Sequence, residues 1–144
     1  MVALPLKGSY VMFSEAPILI VEDNLYLALD LSSAVEELDG RVIGPASTIA
    51  EALTLLDRHH VTAAIVDCHL PDGHAAALAQ KLVERRVPFV IHTATRLPDT
   101  ISQLHPDVPV LIKPVQPKAL LTCLLDEIRK AGSAPTILIP AANA

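Results

Sequence analysis

The sequence predicts a doubly wound α/β domain: a five-stranded parallel sheet with helices on both faces. Short apolar runs recur at Ile18–Val21, Ala63–Val66, Phe89–Ile91 and Val110–Ile112, and the hydrophobicity of the first is continuous rather than alternating, the mark of a strand buried on both faces. Segments of helical period lie between them. Strand alternating with helix is the pattern of βα units, which makes the strands parallel and the crossovers right-handed. A chain of 144 residues, 51% apolar, is long enough for one domain with a real core, and with only 3% aromatic residues that core must be Leu, Ile, Val and Ala.

Strand one is Ile18-Leu19-Ile20-Val21, ended by Glu22-Asp23-Asn24. Leu25, Ala28, Leu29, Ser32, Val35 and Leu38 then recur at helical spacing, so helix one runs from Leu25 to Leu38, capped by Asn24 and closed by Gly40. Strand two is Arg41–Gly44. Ser47 or Thr48 caps helix two, which carries Ala52, Leu55 and Leu56 to about Arg58. Strand three is Ala63–Val66, followed by Asp67 and a Pro71-Asp72-Gly73 turn. Helix three runs from about His74 to Arg85. Pro88 introduces strand four, Phe89–Ile91, which ends in His92-Thr93-Ala94. The stretch from Arg96 to Pro109 contains three prolines, which leave room only for a short helix four, roughly Thr100 to Leu104. Strand five is Val110–Ile112, closed by Lys113-Pro114. Pro117 suits the first turn of a last helix, which carries Leu120, Leu121, Leu124, Leu125 and Ile128 and fades at Gly132. The domain thus spans 18–131, with an N-terminal extension 1–17 and a C-terminal tail 132–144. In the tail, Thr136–Ile139 between two prolines suits either a short edge strand or a flexible segment.

A net charge of -5 argues against non-specific attraction to nucleic acid or to an anionic membrane. Lys7 and Glu15 interrupt the first stretch, which therefore lacks the apolar centre of a signal peptide, and no segment approaches a membrane helix in length. Cys68 and Cys123 lack the density of a disulfide scaffold, which points to free thiols in a reducing compartment and a cytoplasmic location.

The polar residues that end the strands all fall at the C-terminal edge of the sheet. These are Glu22 and Asp23 after strand one, Asp67 after strand three, Thr93 after strand four and Lys113 after strand five. With strand order 2-1-3-4-5, strands one and three flank the topological switch point, and Asp23 and Asp67 converge there. Three carboxylates so close repel unless a cation joins them, and an all-oxygen site of this kind suits Mg²⁺. A metal and a lysine around one carboxylate is what phosphoryl transfer needs, because catalysis there is mostly positioning and neutralisation of charge. Carboxylates can themselves take the phosphoryl group, and Thr93 can offer its hydroxyl to it.

The motifs Ile20-Val21-Glu22-Asp23-Asn24, Val66-Asp67-Cys68-His69-Leu70-Pro71-Asp72-Gly73, Thr93-Ala94 and Lys113-Pro114, in this order, resemble those of response-regulator receiver domains of two-component signalling. The resemblance covers Ile18 to about Lys130 and implies the flavodoxin-like receiver fold. It implies that Asp67 is the phosphoacceptor, that Asp23 and Asp67 bind Mg²⁺ directly with Glu22 acting mainly through water, and that the backbone carbonyl of His69 is a further ligand. Lys113 would bind the phosphoryl group and Thr93 would swing toward it. The expected function is a single-domain response regulator, phosphorylated by a histidine kinase or phosphotransfer protein. It would signal to a separate effector through protein contacts, assisting its own phosphorylation and dephosphorylation without being a turnover enzyme.

Three departures from the family pattern involve four positions. Val110 stands where an aromatic switch residue is usual, and Ala75 where a glycine is usual. His69 and Thr95 occupy the positions that tune dephosphorylation. The last helix carries an apolar band wider than one core-facing stripe, read either as packing on strands one and five under the tail or as a homodimer or partner surface shared with strand five and helix four. Two other function classes fit the same architecture: a degenerate receiver that only binds, and a small phosphatase or flavodoxin-like protein. His69, two residues after Asp67, stands where a phosphatase would place a second acid, and Glu22-Asp23 would repel a flavin phosphate. A zinc shell is not expected, since His59 and His60 precede strand three while Cys68, His69 and His74 follow it.

Overall fold

The computed structural model describes residues 10–11, 13–132 and 137–138. Five parallel strands, β1 (Pro17–Val21), β2 (Arg41–Ala46), β3 (Ala63–Val66), β4 (Phe89–Thr93) and β5 (Val110–Ile112), form one sheet in the order β2-β1-β3-β4-β5. This is the doubly wound order predicted from the sequence. The helices are α1 (Leu25–Glu37), α2 (Ile49–Arg58), α3 (Ala76–Glu84), α4 (Asp99–Leu104) and α5 (Pro117–Lys130). None of the helices among the described residues is long and apolar enough to cross a membrane.

Side chains alternate across the sheet, and the two cores follow that alternation. Leu19, Val21, Ala64, Val66, Phe89 and Ile91 face Ile49, Ala52 and Leu56 of α2, Leu78, Ala79 and Leu82 of α3 and Ile101 of α4. Ile18, Ile20, Ala63, Ile65 and Val90 face the other way, onto Leu31 and Val35 of α1 and Leu120, Leu121, Leu124, Leu125 and Ile128 of α5. The wide apolar band of α5 is consumed by this core. The helix lies over β3 and β4 beside α1 rather than over strands one and five.

Several local expectations are corrected. On α1, Leu25 and Leu29 are exposed, and Leu31 takes the core position with Ala28 and Val35. The left-handed residue after α1 is Asp39 (φ 64°), not Gly40. Gly40 is needed instead for closeness, because a Cβ there would lie 2.7 Å from Val35 Cγ1 and 3.0 Å from Phe13 Cδ2. Strand two does not stop at Gly44: Leu19 pairs with Ile43 but Val21 pairs with Ala46, so an extra residue is absorbed as a bulge. Gly44 makes the bulge possible, with φ 97° and room for no Cβ beside Ala46 N at 2.7 Å.

Phe13 is fully buried on the α1–α5 side, and its N–H donates to Leu38 O at 2.8 Å. Tyr10–Val11 pairs antiparallel with Ile137–Leu138, so the edge-strand alternative for the tail is the one found, with the N-terminal stretch as its partner. The remaining residues of 1–9 and 133–144 lie outside the described residues.

Candidate functional site

Backbone pairing that continues past the strand ends places the polar groups. Glu22 N donates to Ala46 O (2.9 Å), Asp67 N to Val21 O (3.0 Å) and Lys113 N to Thr93 O (2.8 Å). The acids after β1 and β3 and the lysine after β5 are thereby fixed to the same edge of the sheet. Glu22, Asp23 and Asp67 each bring a carboxylate oxygen within 4.8 Å of the others.

Within this cluster the residues differ. Glu22 and Asp67 are 3% and 5% exposed, whereas Asp23 is open to solvent. Lys113 Nζ lies 3.0 Å from Glu22 Oε1 and 3.0 Å from Asp67 Oδ2, so one ammonium bridges the two buried acids. Their other oxygens are taken by backbone. Glu22 Oε2 accepts from Asn24 N (3.1 Å) and Asp67 Oδ1 from His69 N (3.2 Å). Burial pushes the Glu22 carboxyl above the usual range, and the hydrogen bonds from Lys113 and Asn24 oppose this without cancelling it. For Lys113 the balance is reversed. Burial pulls the ammonium down, but its bonds to Asp67 and Glu22 outweigh that and leave it raised.

Thr93 is fully buried, and its Oγ1 accepts from Thr95 N (3.3 Å); among the described residues it makes no hydrogen bond to Asp67. The hydroxyl lies beside the Cys68 thiol, which burial and the charge of Asp67 push up to about 11. The sequence-predicted residues Glu22, Asp23, Asp67 and Lys113 are therefore together, with Thr93 one strand away and turned to its own loop.

Three arrangements at the site have no signal in the sequence. Asp72 caps α2 from the loop after β3, its Oδ1 accepting from Ile49 N (2.8 Å) and its Oδ2 from Ala50 N (3.0 Å). A Pro-Asp-Gly motif signals a turn but not a partner 22 residues upstream. His69–Leu70 and Gly73–His74 form a two-stranded hairpin at the rim, bringing His69 Nδ1 to 3.1 Å from His74 Nδ1. His92, beside Thr93, is buried with neither ring nitrogen hydrogen-bonded among the described residues, and burial together with the charge of Lys113 lowers its basicity.

No family model matches the sequence, and no curated protein does. Solved structures do. The chain is similar to the receiver domain of HemR from Leptospira biflexa in its non-phosphorylated form, with 29% identity, a TM-score of 0.68, and 78% of this chain aligned to 94% of that one. It is similar to the receiver domain of a sensor histidine kinase from Pseudomonas aeruginosa PAO1, a structure with a magnesium ion coordinated in the active site cleft. Identity there is 25% and the TM-score 0.68, over 79% of this chain and 98% of that one. It also superposes on a CheY-like response regulator receiver domain protein from Methanospirillum hungatei JF-1 with a TM-score of 0.73. That match has 23% identity over 81% and 96% of the two chains.

Proposed function

The chain has the fold of response-regulator receiver domains over most of its length, and on that basis we propose that it is a response regulator that accepts a phosphoryl group on Asp67. The observation that carries this reading is the Lys113 ammonium held 3.0 Å from both Asp67 and Glu22 in a buried acidic cluster. A lysine placed there offers positive charge to oxygens that arrive beside Asp67. An Asp67 carboxylate oxygen attacks the phosphorus of a phosphohistidine. The P–N bond breaks, the imidazole leaves with the electron pair, and an acyl phosphate forms. Lys113 then pairs with a phosphoryl oxygen, and the Thr93 hydroxyl reaches the same group by giving up Thr95 N.

The donor set fits Mg²⁺, since three carboxylates with oxygens within 4.8 Å match a hard cation. Asp23, Asp67 and the His69 carbonyl would hold it, with Glu22 acting mainly through water, as the resemblance to receiver domains implies. When bound, the ion neutralises carboxylate and phosphoryl charge.

Partners follow from the chemistry: a histidine kinase or phosphotransfer protein upstream, and an effector protein downstream, in the cytoplasm. The chain would not be a turnover enzyme, only a phosphoacceptor that assists its own transfers. Exposed Leu104, Val110 and Ile112 on α4 and β5 support that face as the contact surface, for an effector or a second copy. Incubation with acetyl phosphate and Mg²⁺ followed by Phos-tag electrophoresis tests the reading. A shifted band that Asp67→Ala abolishes is expected. An unshifted wild-type band, or a shift that survives in Asp67→Ala, refutes it.

A further inference from the structure

The hairpin after Asp67 sets two imidazoles against each other on the rim of the pocket. His69 and His74 are directly opposed residues of an antiparallel pair, and both are exposed. Opposed residues in such a pair hold their Cβ atoms about 5 Å apart, so the backbone itself produces the approach. The ring centroids are 4.9 Å apart with planes at 73°, and the Nδ1 atoms are 3.1 Å apart. A contact between two imidazole nitrogens is held by a single proton, with one ring donating and the other accepting. A cation can take that proton's place. For metal–nitrogen distances of about 2.05 Å, a 3.1 Å separation corresponds to an N–metal–N angle of about 100°, between the right angle of an octahedral site and the tetrahedral angle.

We propose that His69 and His74 form a bidentate site for a borderline divalent transition cation, of the Zn²⁺ or Cu²⁺ class, distinct from the carboxylate pocket. Ligand type sets the class: imidazole suits zinc, copper and nickel, whereas the all-oxygen cluster beside it suits hard cations. Two protein ligands leave the remaining positions to water, so the site exchanges its ion rather than serving as a structural staple. The hairpin is pre-organised for this. Asp72 ties its turn to Ile49 and Ala50, and Ala75 N donates to Cys68 O at 3.0 Å, so little ordering is left to be done on binding. His59 and His60, which precede β3 and lie at the opposite edge of the sheet, take no part. The proposal does not depend on phosphorylation of Asp67.

Titration of the full chain with Zn²⁺, and separately with Cu²⁺, in saturating Mg²⁺ tests the site. Calorimetry gives the affinity, and the ring resonances of the six histidines report the location. One ion per chain is expected, Cu²⁺ tighter than Zn²⁺, with shifts at His69 and His74. His74→Ala should weaken binding at least tenfold, and His59→Ala should leave it unchanged. Because His74 is exposed, its removal leaves the fold intact. Binding that survives His74→Ala at full strength, or that Asp23→Asn abolishes while His74→Ala does not, overturns the proposal.

Discussion

Replacing Lys113 by methionine keeps the length of the side chain and removes the ammonium that lies 3.0 Å from both Glu22 and Asp67. The side chains of Glu22 and Asp67 are only 2% and 7% exposed, so two carboxylates would be left buried without a counter-charge. Removing one partner of a buried ion pair costs about 3–5 kcal/mol. Lys113 is 17% exposed and water screens part of the interaction, so about 3 kcal/mol is expected at neutral pH in the absence of divalent cations. For a domain of this size that corresponds to a fall in Tm of about 6–12 °C. Urea denaturation followed by far-UV circular dichroism measures it, since the chain has no tryptophan.

The deficit also has a pH signature. Burial already holds the Glu22 carboxyl above 4.5, and loss of the Lys113 hydrogen bond and charge drives it further up. A carboxyl raised in the folded state favours folding fully below its unfolded pKa, and that contribution is lost as pH rises through the folded value. The variant's deficit is therefore largest at neutral pH and shrinks as pH falls toward 4.5. The lysine itself adds nothing to this change. Its raised ammonium contributes in full below 10.5 and loses that contribution only as pH climbs through the higher folded value. A variant within about 1 kcal/mol of wild type at neutral pH, or a deficit that does not shrink on acidification, would refute the reasoning.

Phe13→Ala should destabilise the protein by about 3–5 kcal/mol, since a fully buried aromatic would leave a cavity between α1 and α5; a loss under about 1.5 kcal/mol in the same urea assay would show that Phe13 is not part of the core. Asp72→Ala should accelerate amide exchange at Ile49 and Ala50. Those two N–H groups hold the Asp72 carboxyl below its usual range, so wild type should loosen in the same way only as pH falls below 3.8, and unchanged exchange in the variant would count against the cap. Native Cys68, with its thiol pushed up to about 11 from 9.0, should alkylate at least about a hundredfold more slowly than in the unfolded chain, and equal rates by mass spectrometry would contradict its burial.

Four of the strands were legible as apolar runs: β1, β3 and β4 are buried on both faces, whereas β5 is an edge strand with Val110 and Ile112 exposed. β3 and β5 have the boundaries read from the sequence, and the extra residues of β2 follow from a bulge that no periodicity announces. The polar edge was legible in the same way, since Glu22-Asp23, Asp67 and Lys113 each follow an apolar run. Hydrophobicity alone could not say which of several leucines on α1 face inward. Leu25 and Leu29 share a helical stripe with Ala28, yet the helix is rolled so that Leu31 reaches the core. Nor could it separate Glu22 from Asp23, adjacent acids of which one is sealed against Lys113 and the other open to water. Contacts between distant segments, such as Asp72 with α2 and Tyr10–Val11 with Ile137–Leu138, carry no local signal at all.

The double bond from Asp72 to the first turn of α2 makes the rim of the acid pocket and that helix one mechanical part. Both carboxylate oxygens are committed, at 2.8 and 3.0 Å, so the hairpin cannot shift by much without either dragging α2 along or leaving two helix-terminal N–H groups to find water. A movement of the loop after Asp67 would therefore reach the α2 side of the sheet through these two bonds, without involving the position held by Val110. The lever arm is ten residues long, with Ile49, Ala52 and Leu56 as its bearing on the core.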